Sequence, residues 1–184
     1  MKKNYMKKWK LCLALCLLSM GVCTSCTQPS SPGAAVIFPQ EKQPGKAMLT
    51  TEQNGEFTLS NDLLTAKFIA QDGKLMFAGA PELGLQPGTE IFKIRLGDGT
   101  EVLASEMELK NVYGGKLKGD KNAVKGAKKF DGYTIEANFA YGNLGIVWRA
   151  VLRDGSHYFR TELDINAKED VAMHSIVPMM YNVD

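Results

Sequence analysis

The chain has 184 residues, with 22 basic and 20 acidic side chains, which is room for one domain and a leader. Five lysines and no acid fall in the first 26 residues, leaving 17 basic against 20 acidic and a net charge of −3 beyond them. Beyond them the overall balance no longer supplies the concentrated basic footprint that a nucleic-acid partner requires, so no nucleic-acid partner is expected.

The leader comes first. "MKKNYMKKWK" is basic, and "LCLALCLLSMGV" follows it as an apolar core of 12 residues, short of the roughly 20 that span a bilayer. This is the pattern of a secretory signal. All four cysteines (Cys12, Cys16, Cys23 and Cys26) lie within it, so the body has no disulfides and must fold on an apolar core alone. The segment ends "VCTSC", and the small residues Thr24 and Ser25 before Cys26 resemble a bacterial lipoprotein signal. That resemblance implies that residues 1–26 are a signal peptide and that Cys26 is lipidated as the first mature residue. Cys23 fits less well, because the bulky Val22 precedes it. The expectation is an exported protein of the bacterial cell envelope, touching the membrane only through its lipid anchor.

Residues 27–53 contain four of the seven prolines and no sustained alternation. Proline removes backbone donors and blocks helix, so the segment reads as a flexible tether that could extend at most about 90 Å. "AVIF", residues 35–38, is the one stretch in it suited to an edge strand.

From residue 54 onward the punctuation changes. Asn54-Gly55, Asp72-Gly73, Asp98-Gly99, Asp131-Gly132 and Asp154-Gly155 recur between runs of alternating apolar and polar residues. Asn-Gly and Asp-Gly favour hairpin turns, because both central residues adopt positive φ. Strands are expected at 56–60, 63–70, 74–79, 90–97, 101–110, 132–141, 144–153, 156–166 and 172–182, with no helix of adequate length. The spacing predicts an all-β fold over residues 54–184, an antiparallel sandwich or barrel. A two-residue loop at Asp72-Gly73 pairs Ala70 with Leu75, Ile69 with Met76 and Phe68 with Phe77. Both faces of that pair are apolar, which predicts cover on two sides. Gly142-Asn143 joins the strand at 132–141 to the one at 144–153 that carries Trp148, giving a three-stranded meander.

With Asp154-Gly155 as a two-residue loop, Leu152 faces His157, Ala150 faces Phe159, Trp148 faces Thr161 and Ile146 faces Leu163 on the core side. The other side pairs Val151 with Tyr158, Arg149 with Arg160 and Val147 with Glu162. Like charges directly opposite are unfavourable. Either Glu162 and Asp164 quench them, or Arg149, Arg160 and Tyr158 form a platform for a sugar or carboxylate, since guanidinium forks bind oxygens and aromatic rings stack. The quenched arrangement is the plainer one.

No metal or cofactor is expected. His157 and His174 stand 17 apart with no cysteine near them, and His157 falls on the core face, in a partly buried structural position. "GGKLKGDKNAVKGAKKF", residues 114–130, holds six lysines and one acid. Its glycines break any amphipathic helix and predict a long mobile loop; as an alternative it is a polyanion contact with steep salt dependence.

The segments "FTLSNDLLTAKF", "DGKLMFAG", "FKIRLGDGTEV" and "WRAVLRDGSHYFRTELDINA" resemble the N-terminal β-sandwich of large secreted bacterial glycoside hydrolases of the α-galactosidase-like kind. The resemblance runs over roughly residues 55–184 and implies a galactose-mutarotase-like supersandwich. In those enzymes a catalytic (β/α)₈ barrel follows, and no barrel begins before "VPMMYNVD". The chain is short for a full supersandwich, which points to an incomplete one and to a catalytic domain missing from this chain. Retaining hydrolysis needs two carboxyl groups about 5 Å apart, and no catalytic residue carries over. The expected function is therefore a non-catalytic accessory domain of a carbohydrate-active system, with glycans as partners. The alternatives are a mutarotase-like or hydrolytic activity, with His157 or His174 as acid and Glu162 as base, and an envelope lipoprotein that binds protein partners.

Overall fold

The computed structural model describes residues 42–88 and 90–180. Residues 1–26, Cys26 included, and "AVIF" lie outside the described residues. In chain order the strands are β1 (Met48–Thr51), β2 (Glu56–Ser60), β3 (Thr65–Gln71), β4 (Lys74–Gly79), β5 (Lys93–Leu96), β6 (Glu101–Leu103), β7 (Glu108–Leu117), β8 (Gly132–Tyr141), β9 (Leu144–Arg153), β10 (Arg160–Ala167) and β11 (Met173–Val177). Three short 3₁₀ turns accompany them. The fold is all-β, in three antiparallel sheets ordered β1-β2-β3-β4, β10-β9-β8-β7 and β11-β5-β6. None closes into a barrel, consistent with a β-sandwich.

Alternation builds the core. Phe57, Phe68 and Phe77 form one row across β2, β3 and β4, and Leu59 and Ala66 form the next; all five are buried. From the facing sheet come Ile135, Ala137 and Phe139 of β8 and Ile146, Trp148, Ala150 and Leu152 of β9. Trp148 is the centre of contact: its ring meets Phe68 edge-on, centroids 5.2 Å apart. The third sheet adds Ile94 and Val102, and Phe92 just before β5 packs edge-on against Phe139 at 5.4 Å. Aromatic pairs in such geometry stabilise beyond their buried area.

The β3–β4 hairpin has the expected register, Phe68↔Phe77, Ile69↔Met76 and Ala70↔Leu75. Asp72 (φ 52°) and Gly73 (φ 71°) both occupy the left-handed region, the requirement of a type I′ turn. Cover on two sides is not found: β4 is a sheet edge, and Met76 on the outward face is 38% exposed. Gly142-Asn143 joins β8 to β9, with Tyr141 opposite Leu144, and β10 completes the meander.

Four further expectations about the strand layout need correction. First, residues 48–51 are not tether but strand β1, paired with β2 from Met48↔Ser60 to Thr51↔Phe57. Pro44 and Ala47 before it are buried, and the Pro44 carbonyl accepts the Asp62 N–H at 2.9 Å. Second, the run at 101–110 is broken at Ala104–Glu106 by a 3₁₀ turn. Its second half continues as β7 to Leu117, so "GGKL" of the lysine-rich stretch is strand. A bulge between Leu109 and Asn111 lets Leu109 and Val112 both face inward. Third, Asp131-Gly132 is no hairpin: Gly132 opens β8 opposite Arg153, and the Asp131 carboxylate accepts the Gly119 N–H at 2.7 Å.

The fourth correction governs the candidate site. Residues 154–159 form a six-residue connection, and β10 starts only at Arg160. Its register runs Arg160↔Val151, Thr161↔Ala150, Glu162↔Arg149 and Leu163↔Trp148, two residues from that of a tight Asp-Gly turn. A slip of two preserves which face each side chain occupies, so Trp148 and Ala150 still face the core while the cross-strand partners change. Arg149 therefore faces Glu162, not Arg160.

Candidate functional site

The outward face of the β7–β10 sheet gathers the polar residues. Odd positions of β9 point out, and their neighbours in register are even positions of β8 and β10 and odd positions of β7 after the bulge. One row reads Tyr113, Glu136, Arg149, Glu162 from β7 to β10. The next row has Asn111, Asn138, Val147 and Asp164.

Arg149 is the hub. Its Nε donates to Glu136 Oε2 at 2.5 Å and its Nη1 to Asp164 Oδ2 at 2.5 Å, so one guanidinium ties β8, β9 and β10 together. The Tyr113 hydroxyl donates to Glu136 Oε1, and Asn138 Nδ2 donates to Asn111 Oδ1 at 2.6 Å. The electrostatics follow from these contacts. The Tyr113 hydrogen bond and then Arg149 hold the Glu136 carboxyl below its usual range, against the opposing effect of burial. The same bond raises the Tyr113 phenol. The Asp164 hydrogen bond, joined by Glu136, raises Arg149, so it stays a cation. Tyr113 remains 48% exposed at the open end of the row.

Arg149 and Arg160 share this face, as expected, but each has its own carboxylate: Arg160 Nη2 lies 2.8 Å from Glu162 Oε1. The cation near Arg160 is Arg153, whose guanidinium is held below its ordinary value by burial and then by the positive charge of Arg160. Arg153 Nη1 is committed to the Phe130 carbonyl at 2.7 Å. Between these arginines and β7 the outer face is closed over, since the outward-facing Thr134 and Val151 are both buried. Tyr158 lies in the 154–159 connection, 57% exposed, and its carbonyl accepts the Ser156 hydroxyl at 2.7 Å.

His157 is not on the core face but exposed, in the same connection. Phe159 takes the inward position, stacking on Phe77 at 6.2 Å. His174 is exposed on β11, at the irregularity between Met173 and Ser175. The two histidines thus belong to different elements, and Glu162 is engaged by Arg160.

Sequence reasoning found Arg149 and Arg160 but missed Tyr113, Glu136, Asn111 and Asn138. The alternation in "GYTIEANFAY" already puts Glu136 and Asn138 on one face. What was lacking was the β7 partner, hidden behind a 3₁₀ break and a bulge.

Comparison with protein-family models finds none that matches the sequence, and comparison with curated proteins likewise finds no match.

Proposed function

We propose that the chain is an accessory β-sandwich domain of a carbohydrate-active system of the bacterial envelope, non-catalytic in itself, which binds or positions glycans. The single observation that carries this reading is the hydrogen-bonded network Tyr113–Glu136–Arg149–Asp164 on the outward face of β7–β10. A sheet face with a half-exposed aromatic ring beside donors and acceptors held in a network suits a sugar ring, whose C–H face stacks while its hydroxyls take hydrogen bonds. Arg149 is already satisfied by two carboxylates, so it orders the platform, and Tyr113 with the Asn111–Asn138 amides supplies the free contact. Tyr158, also exposed, is a second ring available for stacking, in the connection between β9 and β10. The resemblance to the N-terminal sandwich of α-galactosidase-like hydrolases supports the glycan class, and the leader ending at Cys26 supports the envelope location.

The test is isothermal titration of the full chain against a panel of oligosaccharides that includes galactosides. Binding is expected, weakened at least about tenfold in Tyr113→Ala, since losing an aromatic contact costs ~1.4 kcal/mol or more. No heat with any glycan removes the reading. Binding untouched by both Tyr113→Ala and Tyr158→Ala moves the site elsewhere.

A further inference from the structure

We propose that the connection between β7 and β8, residues 118–131, docks on an anionic phospholipid surface, with Val124 entering the headgroup region and Lys121 and Lys125 meeting lipid phosphates. The connection has a defined shape. The Asp120 N–H donates to the Lys128 carbonyl at 2.9 Å, the Ala123 N–H to the Asp120 carbonyl at 3.0 Å and the Lys128 N–H to the Lys125 carbonyl at 2.9 Å. At its base the Gly119 N–H is held by the Asp131 carboxylate.

On this scaffold Val124 is 101% exposed, an aliphatic side chain that adds nothing to the core. Lys121 and Lys125 flank it, and Lys118 and Lys128 are exposed nearby. Of its two acids, Asp131 is taken up by the Gly119 N–H at the base, and Asp120 caps its own turn, its carboxylate accepting the Asn122 N–H at 2.9 Å. The charge is therefore positive and close to the protruding apolar tip, although the body as a whole is acidic. Lysines alone would serve a soluble polyanion. The apolar tip distinguishes a lipid interface, where basic residues meet headgroups and an apolar side chain enters the acyl boundary. Because the loop is already ordered, docking need not fold it. The inference does not depend on glycan binding or on lipidation of Cys26.

The experiment uses the full chain carrying Val124→Trp and Trp9→Phe, with the Trp9→Phe chain as the baseline; the remaining Trp148 is fully buried, so a change of emission against that baseline is local to the tip. Vesicles containing phosphatidylglycerol should shift the emission to the blue, and vesicles of phosphatidylcholine alone should not. Raising the salt should reverse the shift as screening shortens the reach of the lysines. Adding Lys121→Glu and Lys125→Glu should weaken vesicle binding at least about 25-fold, about fivefold for each lysine lost, with the thermal midpoint unchanged. The proposal is overturned by no shift with anionic vesicles at low salt. An equal shift with both vesicle types, which would mark insertion driven by the leader, also overturns it. So does an equal shift with a soluble anionic polysaccharide, which would make the loop a polyanion site.

Discussion

The Ala47 N–H donates to Asp154 Oδ1 at 2.9 Å, joining positions 107 residues apart. Around it the Gly155 N–H donates to the Gly45 carbonyl at 2.8 Å, and Asn61 Nδ2 donates to the Ser156 carbonyl at 2.7 Å. The connection after β9 is thus clamped to the segment that leads into β1. Hydrogen bonds to a charged acceptor contribute about 1.5–3 kcal/mol. Asp154→Ala should therefore lower stability by about that amount, and Asp154→Asn, which keeps an acceptor oxygen, by less. Urea unfolding followed by tryptophan fluorescence decides; a midpoint unchanged in Asp154→Ala refutes the clamp.

Trp148 is fully buried, and its Nε1 has no acceptor among the described residues. Trp148→Ala should cost about 3–5 kcal/mol, the range for deleting a large core aromatic. Trp148→Phe should cost clearly less, because a ring still meets Phe68 and an unpaired donor is removed. Calorimetric melting of the two variants ranks them, and the reverse order would contradict the packing described.

Two glycines make a matched pair. A Cβ on Gly132 would stand 2.3 Å from the Leu152 carbonyl oxygen and 2.8 Å from the Arg153 Cα, both backbone atoms that cannot yield without opening the β8–β9 ladder. Gly132→Ala is expected to lose at least about 2 kcal/mol, by the measure of overpacked sites. A Cβ on Gly126 meets nothing within 4 Å, and there alanine should be neutral or stabilise by up to about 1 kcal/mol through the unfolded chain. Thermal midpoints of both variants check the contrast.

Glu136 links the row to pH. Its folded pKa lies below the ordinary value of 4.5, so its contribution is fully present above about 4.5 and is lost as pH falls through the folded value. Tyr113 has the opposite sign: its phenol is raised above 10.0, so its contribution is present below about 10 and is lost as pH rises through the folded value. The stability gap between the native chain and Glu136→Gln should be flat from pH 7 to 5 and should narrow in more acid solution. Denaturant titrations at several pH values measure it, and a gap that widens in acid has the wrong sign.

The proposed lipidation of Cys26 is tested directly by labelling. In bacterial cells fed a labelled fatty acid, the chain should carry label that Cys26→Ser abolishes and Cys23→Ser leaves in place. Label retained in Cys26→Ser would remove the lipid anchor from the reading.

The β3–β4 hairpin and the β8–β9 pair were legible because each is local. Asp72-Gly73 imposes a left-handed turn of two residues, and alternation does the rest. The faces of β9 and β10 were legible too, since a period of two survives a two-residue slip. The cross-strand partners were not, and the Arg149 site depends on them. Asp154-Gly155 has the chemistry of a tight turn, yet its carboxylate and amide serve the residues before β1, and Phe159 is drawn onto Phe77. A proline-rich stretch that reads as tether supplies those partners and an edge strand.

Alternation, Asx-Gly punctuation and a cysteine-free body determined by themselves that residues 54–184 form antiparallel sheets with Trp148 on the core face. Tertiary structure alone decided that Arg149 joins Glu136 to Asp164, that Tyr113 stands beside them, and that the loop carrying Val124 keeps a fixed shape. Pleat and turn preference act over a few residues. Partner choice rests on hydrogen bonds and ring contacts between segments that can lie more than a hundred residues apart, which no local pattern encodes.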